Sequence, residues 1–237
     1  DADVVISCLQ RQGGFAVEGG PLARVTPSEK VNDELAAKVR GAFLYGRTRT
    51  DIQDVDFAVK QLVEIAVRAL SPGINDPFTA MNCVDQLTAS LARAGRLVPA
   101  DPRLLDDEGT TRVILPRPVF PDLLDAAFDP IREHGRSTTD VLARILGAII
   151  SLEAVVERTE GRIALLRHAD RLNETAAKGL TDQAGLRRVE ALHRLVHRRL
   201  EDVAEDEEDE EDEEDEEEEE DQSHEGEEEG QNDEETE

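Results

Sequence analysis

The end of the chain decides how much of it can fold. Residues 201–237 carry 27 of the 55 acidic residues and no Lys or Arg. Such a run repels itself and has almost nothing apolar to bury, so a disordered acidic tail is expected at neutral pH. The folding unit is then 1–200, with 28 acidic and 27 basic residues, and the net charge of −28 belongs almost wholly to the tail. Two hundred residues suffice to bury roughly 70% of the unfolded surface. A near-neutral body argues against a basic nucleic-acid-binding domain, and no nucleic acid partner is expected. Cys8 and Cys83 are far apart and belong to no metal or redox motif, which excludes a disulfide scaffold. Both sit among apolar residues and read as small buried hydrophobes. The longest apolar stretch, Val141–Val156, is broken by Arg144, Ser151 and Glu153. It falls short of the roughly 20 apolar residues a spanning helix needs.

Residues 3–25 read as strands. Asp3–Gln10 mixes β-branched and apolar residues, Gly13-Gly14 turns, Phe15-Ala16-Val17 resumes, and Leu22–Val25 closes the unit. From Ser28, a plausible N-cap, the period becomes helical through Val31, Leu35, Val39 and Phe43, with Gly46 as the stop. Thr50 and Gln53 have capping-box spacing before a helix running to about Leu70. Its apolar face is Val55, Ala58, Val59, Leu62, Ala66, Ala69 and Leu70, and Lys60, Glu64 and Arg68 form a polar stripe. Ser71-Pro72-Gly73 breaks it. Asp76-Pro77 then starts the next helix, with an acceptor at N-cap and a residue lacking an N–H at N1. That helix presents Phe78, Met81, Val84, Leu87 and Leu91 and ends near Gly95. A short hairpin is expected near 103–115, turning at Asp106–Gly109. Helices follow at about 121–133, 138–158 (capped by Ser137), 160–178 and 182–200. The expected class is α+β, mainly α-helical: a small N-terminal β unit (1–26) packed on an antiparallel helical body (27–200), then the tail (201–237).

The stretch Arg68-Ala69-Leu70-Ser71-Pro72-Gly73-Ile74-Asn75-Asp76-Pro77-Phe78-Thr79-Ala80 resembles the signature of a bacterial predicted-membrane-protein family, domain of unknown function 2254. Gly14–Gly19 with Pro21–Val25 looks like that family's short β segment. Gly46–Thr50 with Gln53, Asp54 and Phe57 looks like the approach to its long helix. Phe120–Ile131 and Arg167-His168-Ala169-Asp170 are similar to its C-terminal part. The resemblance covers about 1–200, and the tail is not part of it. It implies a domain that follows several spanning helices in a bacterial cell membrane, with that upstream membrane-spanning region as its first partner. It implies no activity and transfers no catalytic residue.

Four polar side chains, Ser71, Asn75, Asp76 and Thr79, fall within nine residues between two helix ends, with Arg68 nearby. Helix N-terminal N–H groups there could hold an anion. Capping demands the same residue types without a ligand, and the structural role is preferred. Arg47 and Arg49 could clamp a phosphate or lipid headgroup at the following helix, but Asp51, Asp54 and Asp56 crowd that end. His193 and His197, spaced i,i+4 on one helix, could face one metal ion. No third ligand follows locally, so packing histidines are expected, with no metal and no cofactor. Ser71 lies in no nucleophile elbow, and no phosphate-binding glycine motif occurs. No catalytic residue is expected. The preferred reading is a non-enzymatic domain acting in oligomerisation or regulation of a membrane part, with a homo-oligomer possible. The alternative is a small-ligand-binding or enzymatic domain centred on the 71–79 turn. The tail reads as a solvated, flexible extension that could bind cations or basic proteins, and the basic face of the preceding helix (Arg187, Arg188, Arg194, Arg198 and Arg199) lies next to it.

Overall fold

Helix starts are where this sequence speaks most directly, and the computed structural model describes them over residues 3–49, 54–98 and 101–200. The chain is α+β and mainly helical, as expected. Its elements are β1 (Val5–Cys8), β2 (Ala23–Thr26), α1 (Asp33–Gly41), α2 (Val55–Ala69), α3 (Pro77–Gly95), β3 (Arg103–Leu105), β4 (Thr111–Ile114), α4 (Phe120–His134), α5 (Thr139–Glu153) and α6 (Thr159–Gly179). A last helix, α7, occupies 183–200.

Several boundaries differ from expectation, each for a local reason. Ser28 opens a 3-10 turn, and Asn32 caps α1 by accepting a hydrogen bond from the Leu35 N–H at 2.8 Å. That helix stops at Gly41, before Gly46. The Thr50–Gln53 box lies outside the described residues. Asp54 caps α2, accepting from the Phe57 N–H at 3.1 Å. Thr138, not Ser137, precedes α5. This helix ends at Glu153, short of 158, because Val156 turns inward as a plug. A β-carbon on Gly95 would lie 2.7 Å from Val156 Cγ2, and one on Gly161 would lie 2.5 Å from Val156 Cγ1. Only glycines let α3 and α6 approach Val156 so closely.

The core is helical. Val59 and Val63 of α2, Leu87 and Leu91 of α3, Leu124, Phe128 and Ile131 of α4, and Leu142, Ile145 and Ile149 of α5 are buried together with Leu165 and Leu172 of α6 and Val189 and Val196 of α7. On α3 the buried stripe is Ala80, Cys83, Val84, Leu87 and Leu91. Phe78 was expected on that face but is 68% exposed. Two residues before Ala80 is about 200° around the helix, which turns Phe78 away from the core. The Lys60/Glu64/Arg68 stripe is exposed as expected.

The strands form one sheet in the order β2-β1-β4-β3. β1 runs antiparallel to β2, with Val5 opposite Thr26, and parallel to β4, with Ile6 opposite Val113. The N-terminal strands and the distant hairpin therefore share their hydrogen bonds. Phe15–Val17 is a loop within the β1–β2 connection, contrary to the reading of a third strand, and β1 takes β2 and β4 as its partners instead. The sheet is thinly covered. Among described residues before Asp54, Val4 is the one buried apolar side chain, and the helical core includes no sheet residue. Helix α1 buries nothing, while Phe15 is 87% and Leu44 98% exposed.

Candidate functional site

The 71–79 turn closes α2 onto α3. Ser71 Oγ donates to the Arg68 carbonyl at 2.7 Å, and the Asp76 N–H donates to the Ala69 carbonyl at 2.8 Å. Asp76 Oδ1 accepts from the Thr79 N–H at 3.1 Å and Asp76 Oδ2 from Thr79 Oγ1 at 2.5 Å. The Thr79 hydroxyl and N–H hold the Asp76 carboxyl below the usual carboxylate range. Both side chains are thus spent on their own helix. The left-handed residue is Asn75 (φ +48°), not Gly73; Asn tolerates that region better than most residues. A β-carbon on Gly73 would meet nothing within 4 Å. Asp76→Ala is expected to lower stability by about 1 kcal/mol, the usual N-cap cost. Gly73→Val should stay within about 0.5 kcal/mol, as surface changes usually do. Thermal melts of the two variants check this pair.

Arg68, Ser71 and Asn75 share an open groove of about 910 Å³ with Glu133, His134, Arg136 and Thr138 from the α4–α5 junction. Asp76 and Thr79 are not part of its lining. Arg47 and Arg49 lie elsewhere. Arg49 pairs with Asp54 at 2.6 Å and Asp56 at 3.4 Å, and its guanidinium sits 5.1 Å from the Phe57 ring centroid. Hydrogen bonding to Asp54 raises its pKa further. Arg49 is engaged in bracing the start of α2, and Arg47 is exposed.

The densest polar chemistry is on α6. Residues 168 and 170 are about 200° apart on a helix, so they serve opposite neighbours. His168 points at α4 and is fully buried. Its Nε2–H donates to Asp125 Oδ1 at 2.7 Å, and its ring meets Phe128 edge-on with centroids 6.2 Å apart. Its Nδ1 has no hydrogen-bond partner and lies 3.9 Å from Asp129 Oδ1. Burial pushes the His168 pKa down, against the opposing pull of Asp125 and Asp129, and the ring is neutral. Three guanidiniums neutralise the two carboxylates. Arg167 reaches Asp125 at 2.6 Å, Arg171 reaches Asp129 at 3.0 Å, and Arg132 reaches Asp129 at 3.1 Å. The cluster locks α4 to α6, and its positive charge leaves the carboxylates poor ligands for a cation.

Asp170 points at α7. Its Oδ1 accepts from His193 Nε2 at 2.7 Å and from His197 Nε2 at 2.8 Å. The two rings lie 4.5 Å apart, tilted by 56°. Burial works against the Asp170 carboxylate, yet the two imidazoles outweigh it and hold its pKa below the usual value. Spacing had exposed the histidine pair but not Asp170, which is 23 residues earlier on another helix.

The fold and these clusters define a helical α+β domain with a thin four-stranded sheet. No helix among the described residues is long and apolar enough to cross a membrane. The chain belongs to the family of predicted membrane proteins designated domain of unknown function 2254, which matches residues 1–151. That match ends within α5, so Phe120–Ile131 falls inside it and Arg167–Asp170 beyond it. Uncharacterised proteins of Mycobacterium bovis and Mycobacterium tuberculosis are 40% identical over 102 residues, which is 43% of this chain and 19% of each relative. The matched segment is therefore less than a fifth of those relatives' length. No solved structure matches.

Proposed function

We propose that this chain is a non-enzymatic extramembrane domain that docks on the membrane-embedded part of a larger protein and regulates or assembles it. The observation that carries this reading is the bare β end. No side chain of the four-stranded sheet or of α1 is fully buried, Val4 just ahead of β1 is the one buried apolar side chain among the described residues before Asp54, and the adjoining loops display Phe15, Val17, Leu44 and Tyr45 to solvent. Apolar surface of this kind marks an interaction site. The occupant that fits is the rest of the same protein: the family is one of predicted membrane proteins, and the relatives extend far beyond the matched segment. The acidic tail adds a second, electrostatic contact for cations or basic proteins, screened once salt brings the Debye length to about 10 Å.

The test places a photo-crosslinking residue at Phe15, Val17 or Leu44 in the complete protein, in its membrane. Crosslinks to membrane-embedded peptides are expected, and crosslinks between copies would assign the same face to assembly. Loss of both, with the three positions still reactive to water-soluble reagents, would end the proposal.

A second reading, a small-ligand site at the 71–79 turn, has support from the groove that brings Arg68, Ser71 and Asn75 opposite His134 and Arg136. Its check is whether small anions protect the chain thermally and Arg68→Ala removes that protection.

A further inference from the structure

His193 and His197 stand one turn apart on α7 and aim both Nε2 atoms at one carboxylate oxygen of Asp170 on α6, at 2.7 and 2.8 Å. The three donor atoms all lie within 4.8 Å of one another. Two imidazoles and a carboxylate form a donor set suited to borderline divalent ions, not to Mg²⁺ or Ca²⁺, which take oxygen ligands. A tetrahedral ion about 2.0–2.1 Å from each donor spaces its ligands about 3.4 Å apart. The rings need to retreat from Asp170 by about 0.6–0.7 Å to admit it, within the reach of small χ changes in half-buried side chains. Asp170 is itself half-exposed, so an ion has a way in and a fourth position remains for water. No Arg or Lys among the described residues pairs with Asp170. This separates the trio from Asp125, Asp129 and His168, where three guanidiniums oppose a cation.

We infer that Asp170, His193 and His197 bind a divalent transition-metal ion of the Zn²⁺ or Co²⁺ type, clamping α7 to α6. The site lies a few residues before the acidic run, whose carboxylates concentrate divalent cations nearby but supply only oxygen ligands.

Cobalt distinguishes the two kinds of binding. The full chain is titrated with Co²⁺, and visible absorption is recorded. Tetrahedral His₂Asp coordination gives intense d–d bands, whereas octahedral carboxylate and water coordination gives weak ones. Strong bands saturating at one equivalent are expected, and excess Zn²⁺ should displace them. His193→Gln, His197→Gln and Asp170→Asn should each abolish the bands and weaken Zn²⁺ binding about a hundredfold or more, since even outer-shell partners of bound metals are worth 10–100-fold. Gln at 193 or 197 keeps an N–H for Asp170, so the metal-free melts of these variants should match the parent. Zn²⁺ should raise the parent's melting midpoint and leave the variants unmoved. Weak bands alone, or strong bands that survive the His193→Gln/His197→Gln double variant, would overturn the inference.

Discussion

Phe128→Ala should destabilise the chain by about 3–5 kcal/mol, the range for a large aromatic deleted from a closed core. Phe128 is fully buried on α4 between helices that already approach closely, and little can move in to fill the space. The substitution also removes the ring against which His168 packs edge-on. In urea, the unfolding midpoint should fall sharply with an unchanged m-value, because the surface exposed on unfolding is almost the same. A loss below about 1 kcal/mol would mean that the α4–α6 contact is much looser than a closed core.

His168→Ala should cost about 2–4 kcal/mol, combining a cavity with a lost hydrogen bond to a charged acceptor. The pH dependence is the sharper signature. Asp125, Asp129, Arg167, Arg171 and Arg132 surround or brace this ring from α4 and α6, and burial keeps it neutral. Its pKa in the fold lies below the ordinary value of 6.5. The unfolded chain therefore binds the proton first as pH falls. The stability tied to neutral His168 is complete above pH 6.5 and is lost progressively below it, towards the folded pKa. Urea midpoints at pH 7.5 and 5.0 should separate more for the parent than for His168→Gln, which does not titrate. Equal separations would show that the ring accepts a proton in place.

Asp76-Pro77 announced α3 because an N-cap is a local bargain between one side chain and a backbone N–H three residues on. The buried α3 positions Val84, Leu87 and Leu91 followed from helical period alone. Asn75, and not Gly73, takes the left-handed conformation because a single turn can place its special residue at more than one position. Phe15–Val17 looked like a strand because propensity says nothing about which partner a strand will find, and β1 took β4 from a hundred residues away as its second neighbour. Asp170 escaped notice for the same reason. Two histidines one turn apart are visible in one helix, but their carboxylate arrives from another helix only when the bundle closes. The family signature at 68–80 was legible because it rests on contiguous residue identities, while the bare β end could be seen only once burial was known.

The parallel pairing of β1 with β4 also has a mechanical meaning. A pull on the chain ahead of β1, opposed by the helical bundle beyond β4, acts on opposite ends of two parallel strands. Their hydrogen bonds are then loaded together in shear, not unzipped one at a time. Tension crosses from β1 to β4 and enters the bundle through the short connector 115–119 at the head of α4. The load arrives beside the Val156 plug, where Gly95, Phe120 and Gly161 leave no slack. A displacement imposed at the β end is thereby delivered to α4, whose Asp125 and Asp129 hold α6.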